Sequence, residues 1–214
     1  MAPPVKKRRY DAPKRRAAAA QTREAILAAA KSRFESHGWA GTTIAAVAAG
    51  ADVSPKTVEA AFSTKSALLT QVVDYAIRGD AGATPMIERP VAKDIEAAAD
   101  AATMLDLHAS YVVAIEARSA QIASVVESAA GSDRRVRQLW ARMRKNRRFG
   151  ASWAAELLLS KPGVRDGLMR NEAEVAFLVA IDWATYRTLT GEAGLDADAV
   201  TEWLRGYYRR MLLP

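Results

Sequence analysis

Hydrophobic residues recur at three- and four-residue steps along most of the chain, and no segment shows the alternation that is typical of a half-buried strand. The stripe formed by Ile26, Leu27, Ala30 and Phe34 predicts a first helix that begins near residues 15–17 and ends before Gly38. Later segments have the same period over greater lengths. The pattern predicts an all-α fold.

Residues 42–65 contain two short helical patterns separated by a turn. The first begins at a threonine, Thr42 or Thr43. In the second, Ser54 has the chemistry of an N-cap, and Pro55 suits the first helical position because its missing N–H would be unpaired there. Phe62 closes the second helix onto the core. The pair forms either a plain helical hairpin or a helix-turn-helix, whose second helix can enter a DNA major groove.

Side chains of the second helix have the chemistry that base recognition needs. Lys56 can donate to guanine O6 or N7, Thr57 can hydrogen-bond or contact a thymine methyl, and Ala60 permits close approach. Other polar residues lie at helix starts, where free N–H groups favour phosphate. The predicted DNA-contact set is Thr42, Thr43, Ser54, Pro55, Lys56, Thr57, Ala60 and Lys65, together with Arg15 and Arg16.

The flanking residues extend the pattern in both directions. Together with residues 42–65, the full pattern reads Ile26-Leu27-x-Ala29-Ala30, Phe34, Gly38, Thr42-Thr43, Ala51-Asp52-Val53-Ser54, Thr57, Phe62, Lys65 and Leu68-Leu69. In this spacing, about residues 22–79 resemble the DNA-binding region of the tetracycline-repressor-like (TetR) family of bacterial regulators. The resemblance implies an N-terminal three-helix helix-turn-helix domain followed by a C-terminal helical domain that binds a ligand and dimerises.

Two residues depart from the family pattern. Asp52 stands at the turn glycine, which is tolerable because Asp visits the left-handed region more readily than most residues. Glu59 stands where the family usually has a tyrosine that contacts phosphate. It is either solvated or paired with Lys56 one turn earlier, or it accepts a hydrogen bond from cytosine N4.

The charge is concentrated at the start of the chain. Residues 1–23 carry eight basic side chains and one acidic one, which equals the net charge of +7 of all 214 residues. Residues 1–14, with three prolines, therefore predict a flexible basic arm. The arm either follows DNA phosphates or a minor groove, or it is a solubilising tail.

Composition and breakers divide the rest of the chain. Gly79–Pro90 is rich in Gly, Pro and small residues, so we predict a helix-turn-helix domain at 15–79, a linker at 80–92 and a helical effector-binding and dimerisation domain at 93–214. Within the last domain, residues 93–130 predict two or three helices with bends near Ala101 and Arg118. Further helices are expected over residues 133–160, 171–190 and 196–212.

The last two predicted helices have more apolar surface than one domain can bury. They are either buried within a monomer or covered by the same pair in a second copy, and the family resemblance implies the second arrangement. The predicted homodimer interface comprises Val175, Leu178, Asp182, Tyr186, Val200, Trp203, Leu204, Tyr207 and Met211.

The resemblance also implies an effector pocket among the C-terminal helices. Candidate lining residues are Met104, His108, Tyr111, Trp140, Met143, Trp153, Asp182 and Tyr186. His108 is either a satisfied core residue or a ligand contact. A carboxylate within an apolar helix needs a partner, so Asp182 pairs either with an arginine of helix 133–160 or with a cationic or hydroxylated ligand.

Catalytic chemistry is not expected. The chain has no cysteine and only two histidines, and it lacks a phosphate-binding glycine loop, a nucleophile elbow and a metal-ligand spacing, so we predict neither a metal nor a cofactor. With no signal peptide and no apolar span, we expect a cytoplasmic protein. The sequence predicts a dimeric regulator, most often a repressor in this family, that a small molecule releases from a palindromic operator. The alternative is a constitutive DNA-binding or architectural protein without an effector.

Overall fold

The computed structural model describes residues 12–82 and 84–214, with side chains from residue 16 onward. This part of the chain forms ten α-helices and no strand, so the all-α prediction is confirmed. The helices are α1 Ala12–Gly41, α2 Ile44–Gly50, α3 Pro55–Phe62, α4 Lys65–Arg78, α5 Pro90–Ala97, α6 Ala101–Ala129, α7 Arg134–Leu159, α8 Arg170–Ala180, α9 Trp183–Arg187 and α10 Ala197–Leu212. A 3₁₀ turn, Met86–Glu88, precedes α5, and a π turn, Thr188–Glu192, follows α9.

Helices α1–α4 form the N-terminal bundle. Its core contains the predicted apolar stripe, with Ile26 and Phe34 fully buried. The path of α1 breaks at Gly38, whose φ of 65° favours glycine, so the predicted end of this helix is confirmed. The helix begins at Ala12, a few residues earlier than predicted, and the alanine-rich run 17–20 that follows favours helix. At the other end, α4 stops at Gly79 with a left-handed φ of 80°.

Helices α5–α10 form the C-terminal bundle, which is arranged around α6. This helix packs against α5, α7, α9 and α10 and also contacts α1 and α4 of the N-terminal bundle. Asp100 begins α6 by accepting from the Thr103 N–H at 2.7 Å, and the helix contains no Gly or Pro. Asp133 and Asp196 cap α7 and α10 in the same way.

Two features of the predicted C-terminal helices are wrong. No bend occurs near Arg118, whose guanidinium instead donates from the side of α6 to the carbonyls of Ala76 and Ile77 at the end of α4. The helix predicted over 171–190 is divided after Ala180, because the Asp182 carboxylate accepts from the Thr185 N–H and begins α9. The predicted division near Ala101 is confirmed.

One continuous hydrophobic core joins the two bundles. It includes Val73 and Ala76 of α4 together with Ala123 of α6, Met143 of α7 and Trp183 of α9. The predicted boundaries at residues 79 and 93 therefore separate segments that pack closely together. Among the described residues, no helix is long and apolar enough to cross a bilayer.

Candidate DNA interface and effector cavity

Helices α2 and α3 form a helix-turn-helix, and each helix begins at a side-chain N-cap that the sequence indicates. The Thr43 hydroxyl accepts from the Ala46 N–H at 3.1 Å and begins α2, and the Ser54 hydroxyl accepts from the Thr57 N–H at 3.1 Å and begins α3. Asp52 in the turn has a φ of 52°, the left-handed conformation expected there. Because Val58 and Phe62 are buried beneath α3, its opposite face is fixed outward.

The outer face of α3 is a compact polar surface. Pro55, Lys56, Thr57, Glu59 and Ala60 are all exposed, and the structure records no ion pair between Lys56 and Glu59. The N-terminal turn of α3 thus presents one ammonium and one hydroxyl group, with the small Ala60 one turn on, a combination that suits base edges in a major groove. This surface is the candidate DNA interface.

Two members of the predicted DNA-contact set lie elsewhere. Thr42 is buried, and its hydroxyl donates to the Gly38 carbonyl at 2.8 Å. The Lys65 ammonium donates to the carbonyls of Trp39 at 2.6 Å and Thr42 at 2.8 Å, and it lies 4.2 Å from the centre of the Trp39 ring. Burial lowers the pKa of Lys65. Both side chains therefore bond to backbone carbonyl groups at the junction of α1 and α2, and their contact with phosphate stays a prediction.

The other basic residues of this region fall into two groups. Arg16 is exposed, whereas the Arg15 side chain and residues 1–11 lie outside the described residues. The arm predicted at residues 1–14 is wrong at its end, because residues 12–14 belong to α1. Arg23, which the sequence analysis did not single out, donates to Gln71 at 2.9 Å and lies over the Phe62 ring, 4.4 Å from its centre. Arg23 therefore connects α1 to the end of α3. The sequence did not indicate this contact, because Arg23 lies far from Phe62 and Gln71 along the chain.

A cavity of about 370 Å³ lies between the two bundles. Its walls come from α4, α6, α7, the 3₁₀ turn and the α8–α9 junction. The lining residues are Val73, Asp74, Ile77, Pro85, Met86, Ile87, His108, Tyr111, Val112, Ile115, Glu116, Arg142, Met143, Asn146, Arg147, Phe149, Gly150, Trp153, Ile181 and Trp183. The volume falls within the range of roughly 300 to 1,000 Å³ that is common for small-molecule sites.

The structure brings four of the eight predicted lining residues together on this wall: His108, Tyr111, Met143 and Trp153. The other four lie apart. Met104 is fully buried in the core, Trp140 packs on Trp183 with ring centres 5.8 Å apart, Asp182 pairs with Arg147, and Tyr186 lines a separate void of about 10 Å³.

His108 is held in place by aromatic neighbours. Its Nδ1 lies 2.8 Å from the Tyr208 hydroxyl, with which it shares a hydrogen bond, and its ring contacts Phe177 edge-on with centres 4.9 Å apart. Burial lowers the pKa of His108 to about 3, so the ring is neutral at physiological pH. It can present a neutral polar atom to the cavity.

Glu116 was not predicted from the sequence. Its side chain is buried in the wall of the cavity, and Oε2 has no hydrogen-bond partner among the described residues. Burial raises the pKa of Glu116 well above its usual range, and the charge of Asp182 raises it further, against the opposing charges of Arg147 and Arg187. The available signal was an acidic residue within the apolar stripe of α6, next to Val112.

The residues of the predicted dimer interface divide by exposure. Val175 and Met211 are exposed at 61% and 45%, Leu178, Asp182, Tyr186, Trp203 and Tyr207 are half-buried, and Val200 and Leu204 are buried within the protomer. The rings of Trp203 and Tyr207 stack with centres 5.6 Å apart. The inward stripe of α10 is Val200, Leu204, Tyr208 and Leu212, so Met211 of the predicted stripe faces outward.

A helix-turn-helix joined to an all-helical body is the architecture of one class of DNA-binding proteins. Residues 26–72 match the sequence profile of the family described as bacterial regulatory proteins, tetR family. The match covers α2 and α3 together with the adjoining parts of α1 and α4. No curated protein sequence matches it.

Solved structures share the fold over nearly the whole chain. NalD of Pseudomonas aeruginosa, the secondary repressor of the MexAB-OprM multidrug efflux pump, is 16% identical with a TM-score of 0.67, covering 92% of this chain and 98% of its own. FadR of Bacillus subtilis, in complex with stearoyl-CoA, is 19% identical with a TM-score of 0.65, covering 85% and 95%. A transcriptional regulator of Saccharomonospora viridis, in complex with choline, is 15% identical with a TM-score of 0.65, covering 91% and 98%.

Proposed function

We propose that this TetR-family regulator binds a palindromic operator as a homodimer, represses transcription there, and is released by a small molecule that occupies the cavity. The observation that carries the proposal is the double role of α4. Its first turn follows α3 directly, while Val73, Asp74 and Ile77 farther along it line the cavity. A molecule that shifts α4 therefore also moves the exposed face of α3.

Polar contacts support this coupling in the C-terminal half of α4. Asp74 pairs across the cavity wall with Arg142 of α7 at 2.9 Å, and Arg118 of α6 holds the last carbonyls of α4. Movement of α6 or α7 around a bound molecule is thus transmitted to α4 through groups that contact it directly. That two of the solved relatives contain a small molecule and one is named a repressor agrees with the proposal.

The dimer half of the proposal rests on the exposed apolar residues of α8 and α10. Val175, Val179 and Met211 are large hydrophobic side chains left in water, beside the half-buried Trp203 and Tyr207. A second copy of the same surface would cover them by an isologous contact. Two α3 helices would then meet two half-sites, which is the geometry that a palindromic operator requires.

The decisive experiment selects duplexes from a random pool with the purified full-length protein and then measures the affinity for the selected sequence. We expect two inverted half-sites and a protein of twice the chain mass. Val175→Glu should produce monomers with weaker operator binding, whereas Val91→Glu, which places the same charge on an exposed valine of α5, should leave the dimer intact. Failure to enrich any duplex at low salt would reject DNA binding.

A constitutive DNA-binding protein without an effector is the second candidate. Its distinguishing property is that small molecules neither stabilise the protein against heat nor lower its affinity for the selected duplex. The size of the cavity and its contact with α4 favour the responsive form. The arm at residues 1–14 is proposed to add phosphate contacts, so deletion of residues 1–16 should reduce the salt dependence of binding.

A further inference from the structure

The wall of the cavity combines aromatic faces with one acidic group. Tyr111, Phe149, Trp153 and Trp183 supply ring surface from α6, α7 and α9. Glu116 lies on the α6 side, two turns after His108, on the same face of the helix. A molecule in the cavity would contact rings and a carboxyl group at the same time.

The remaining charged groups of the wall are already paired. Asp74 binds Arg142, and Arg147 binds Asp182 while lying over the Trp183 ring, 5.6 Å from its centre. Among the lining residues, all of which the structure describes, Glu116 is the acidic group that has no basic partner. Glu116 is thus the charged or titratable carboxyl group of the wall without an ion-pair partner, while Arg147, already paired through its terminal nitrogen, has a buried Nε without a hydrogen-bond partner among the described residues.

We propose that the effector is an organic cation, with an ammonium group beside Glu116 and an apolar body against the aromatic wall. This inference rests on the proposed effector role of the cavity and names the class of molecule that the cavity accepts. A cation supplies the partner that Glu116 lacks and is attracted to the faces of tryptophan and tyrosine rings. An anionic ligand would be repelled by an ionised Glu116 and would find Arg142 and Arg147 already in ion pairs, and an apolar neutral ligand would leave the carboxyl group unpaired.

Proton release should accompany binding of the cation. The charged and titratable groups around Glu116 are Arg147 on α7, Asp182 before α9, and Tyr186 and Arg187 on α9. In the free protein, burial keeps the Glu116 carboxyl group protonated to a higher pH than usual. A bound cation favours the ionised form, so affinity should rise with pH, by up to about tenfold per unit, until it levels off above the pKa of the free protein.

The test compares benzyltrimethylammonium, whose charge does not change with pH, with neopentylbenzene, in which carbon replaces the nitrogen. Binding to the full chain without DNA is measured by the fluorescence of Trp153 and Trp183, and by calorimetry, from pH 5.5 to 8.5. The key variant is Glu116→Gln, which keeps the shape and removes the charge. The control is Glu127→Gln, an exposed carboxylate three turns farther along α6.

We expect the cation to bind more tightly than the neutral probe, with an affinity that rises with pH. Glu116→Gln should weaken the cation by at least about 30-fold, remove the pH dependence and leave neopentylbenzene within about threefold. Glu127→Gln removes only the exposed pair with Arg187 at 3.8 Å, so its affinity for the cation should stay within about threefold of the parent protein. A far-UV spectrum and a melting curve check that each variant is folded.

Two results would overturn the inference. Equal affinity for both probes, unaffected by Glu116→Gln, would show an apolar cavity without selectivity for charge. Binding of neither probe at millimolar concentration would show that the cavity does not accept this class of molecule. Neither result bears on the duplex selection described above, so a failure here and a failure of the proposed DNA binding are distinguishable.

Discussion

In the N-terminal bundle, polar side chains at the helix ends bond to backbone groups only three residues away, as Ser54 does with the Thr57 N–H. In the C-terminal bundle, buried polar groups bond across long stretches of chain. His108 meets Tyr208 at a separation of 100 residues, and the Trp183 indole donates to the Ser119 hydroxyl at a separation of 64. Both bundles contain local caps and long-range bonds, but the exposed turn of α3 is ordered by its own cap, whereas the polar groups around the cavity depend on contacts far apart in sequence.

This difference matches the role that we propose for each bundle. A surface that meets DNA must keep its geometry in the absence of DNA, and short-range caps and buried anchors such as Val58 provide this. A cavity that accepts a ligand needs polar groups whose pairing can change. Asp74, Arg142 and Glu116 lie where a bound molecule can reach them.

The largest expected effect tests the DNA side of the contrast. Lys56→Ala should weaken binding to the selected duplex by about 1–3 kcal/mol per half-site, because the exposed ammonium is the strongest base-edge donor of α3. Fluorescence anisotropy on the selected duplex and on versions changed at single positions measures the loss. Lys93→Ala, at an exposed lysine of α5, is the control.

Specificity separates a base contact from a phosphate contact. If Lys56 contacts a base, the variant should bind the single-position changes with a flatter preference at one position. A uniform loss on all duplexes, with a smaller salt dependence, would make Lys56 a phosphate contact and contradict the prediction.

The next effect tests the long-range side. Because the pKa of His108 is lowered to about 3 in the folded protein, the unfolded chain, with a pKa of about 6.5, binds more protons between these values. The contribution of neutral His108 to the free energy of unfolding should be fully present above about pH 6.5 and fall on acidification, by up to about 1.4 kcal/mol per pH unit. His108→Gln should remove this contribution in urea unfolding curves measured between pH 7.5 and 5.

The matched control for His108→Gln is His37→Gln, since the chain has two histidines and His37 is exposed at the end of α1. The raised pKa of Glu116 has the opposite effect, because it makes the free energy of unfolding fall as pH rises. This contribution is the same in the parent protein and in His108→Gln, so it cancels when the two are compared. Parallel stability curves for the parent protein and His108→Gln would contradict the assignment.

Local patterns predicted the N-terminal bundle closely because its signals lie within a few residues of one another. Ser54, Pro55 and Phe62 occupy the cap, first turn and buried end of α3 as expected. Thr42 and Lys65 were placed correctly along the chain, but their contacts depend on Gly38, which turns the end of α1 so that carbonyl groups face them. Spacing gives no information about that turn.

The cavity was predicted less well because its walls come from five separate segments. Residues of one helix face, such as His108 and Tyr111, could be grouped by period. The pairing of Asp182 with an arginine of α7 was one of two alternatives, and the structure has Arg147 there. Glu116 has no local signature except its charge, and only the packing of α7 and α9 against α6 shows that it is unpaired.

A smaller effect would sharpen the distinction between structural and DNA-contacting lysines. Lys65→Met leaves the Trp39 and Thr42 carbonyls without their donor, so it should destabilise the protein by about 1–3 kcal/mol in urea unfolding. The salt dependence of DNA binding, measured where the variant is folded, should stay unchanged. Lys31→Met, which removes the ion pair with Glu35 within α1, should lower the free energy of unfolding by only about 0.2–0.5 kcal/mol. A flatter salt slope would assign Lys65 to phosphate.

The smallest effect concerns the cap of α3. Ser54→Ala removes the acceptor for the Thr57 N–H and the 2.8 Å contact between the two hydroxyl groups, so it should cost about 1 kcal/mol of unfolding free energy. Because the same turn carries Lys56, a less well-ordered first turn of α3 should also lower the affinity for DNA. Ser36→Ala, at an exposed serine that bonds within α1, should stay within about 0.5 kcal/mol. Equal losses in the two variants would mean that tertiary packing, rather than its own cap, orders α3, and the contrast between the two bundles would not hold.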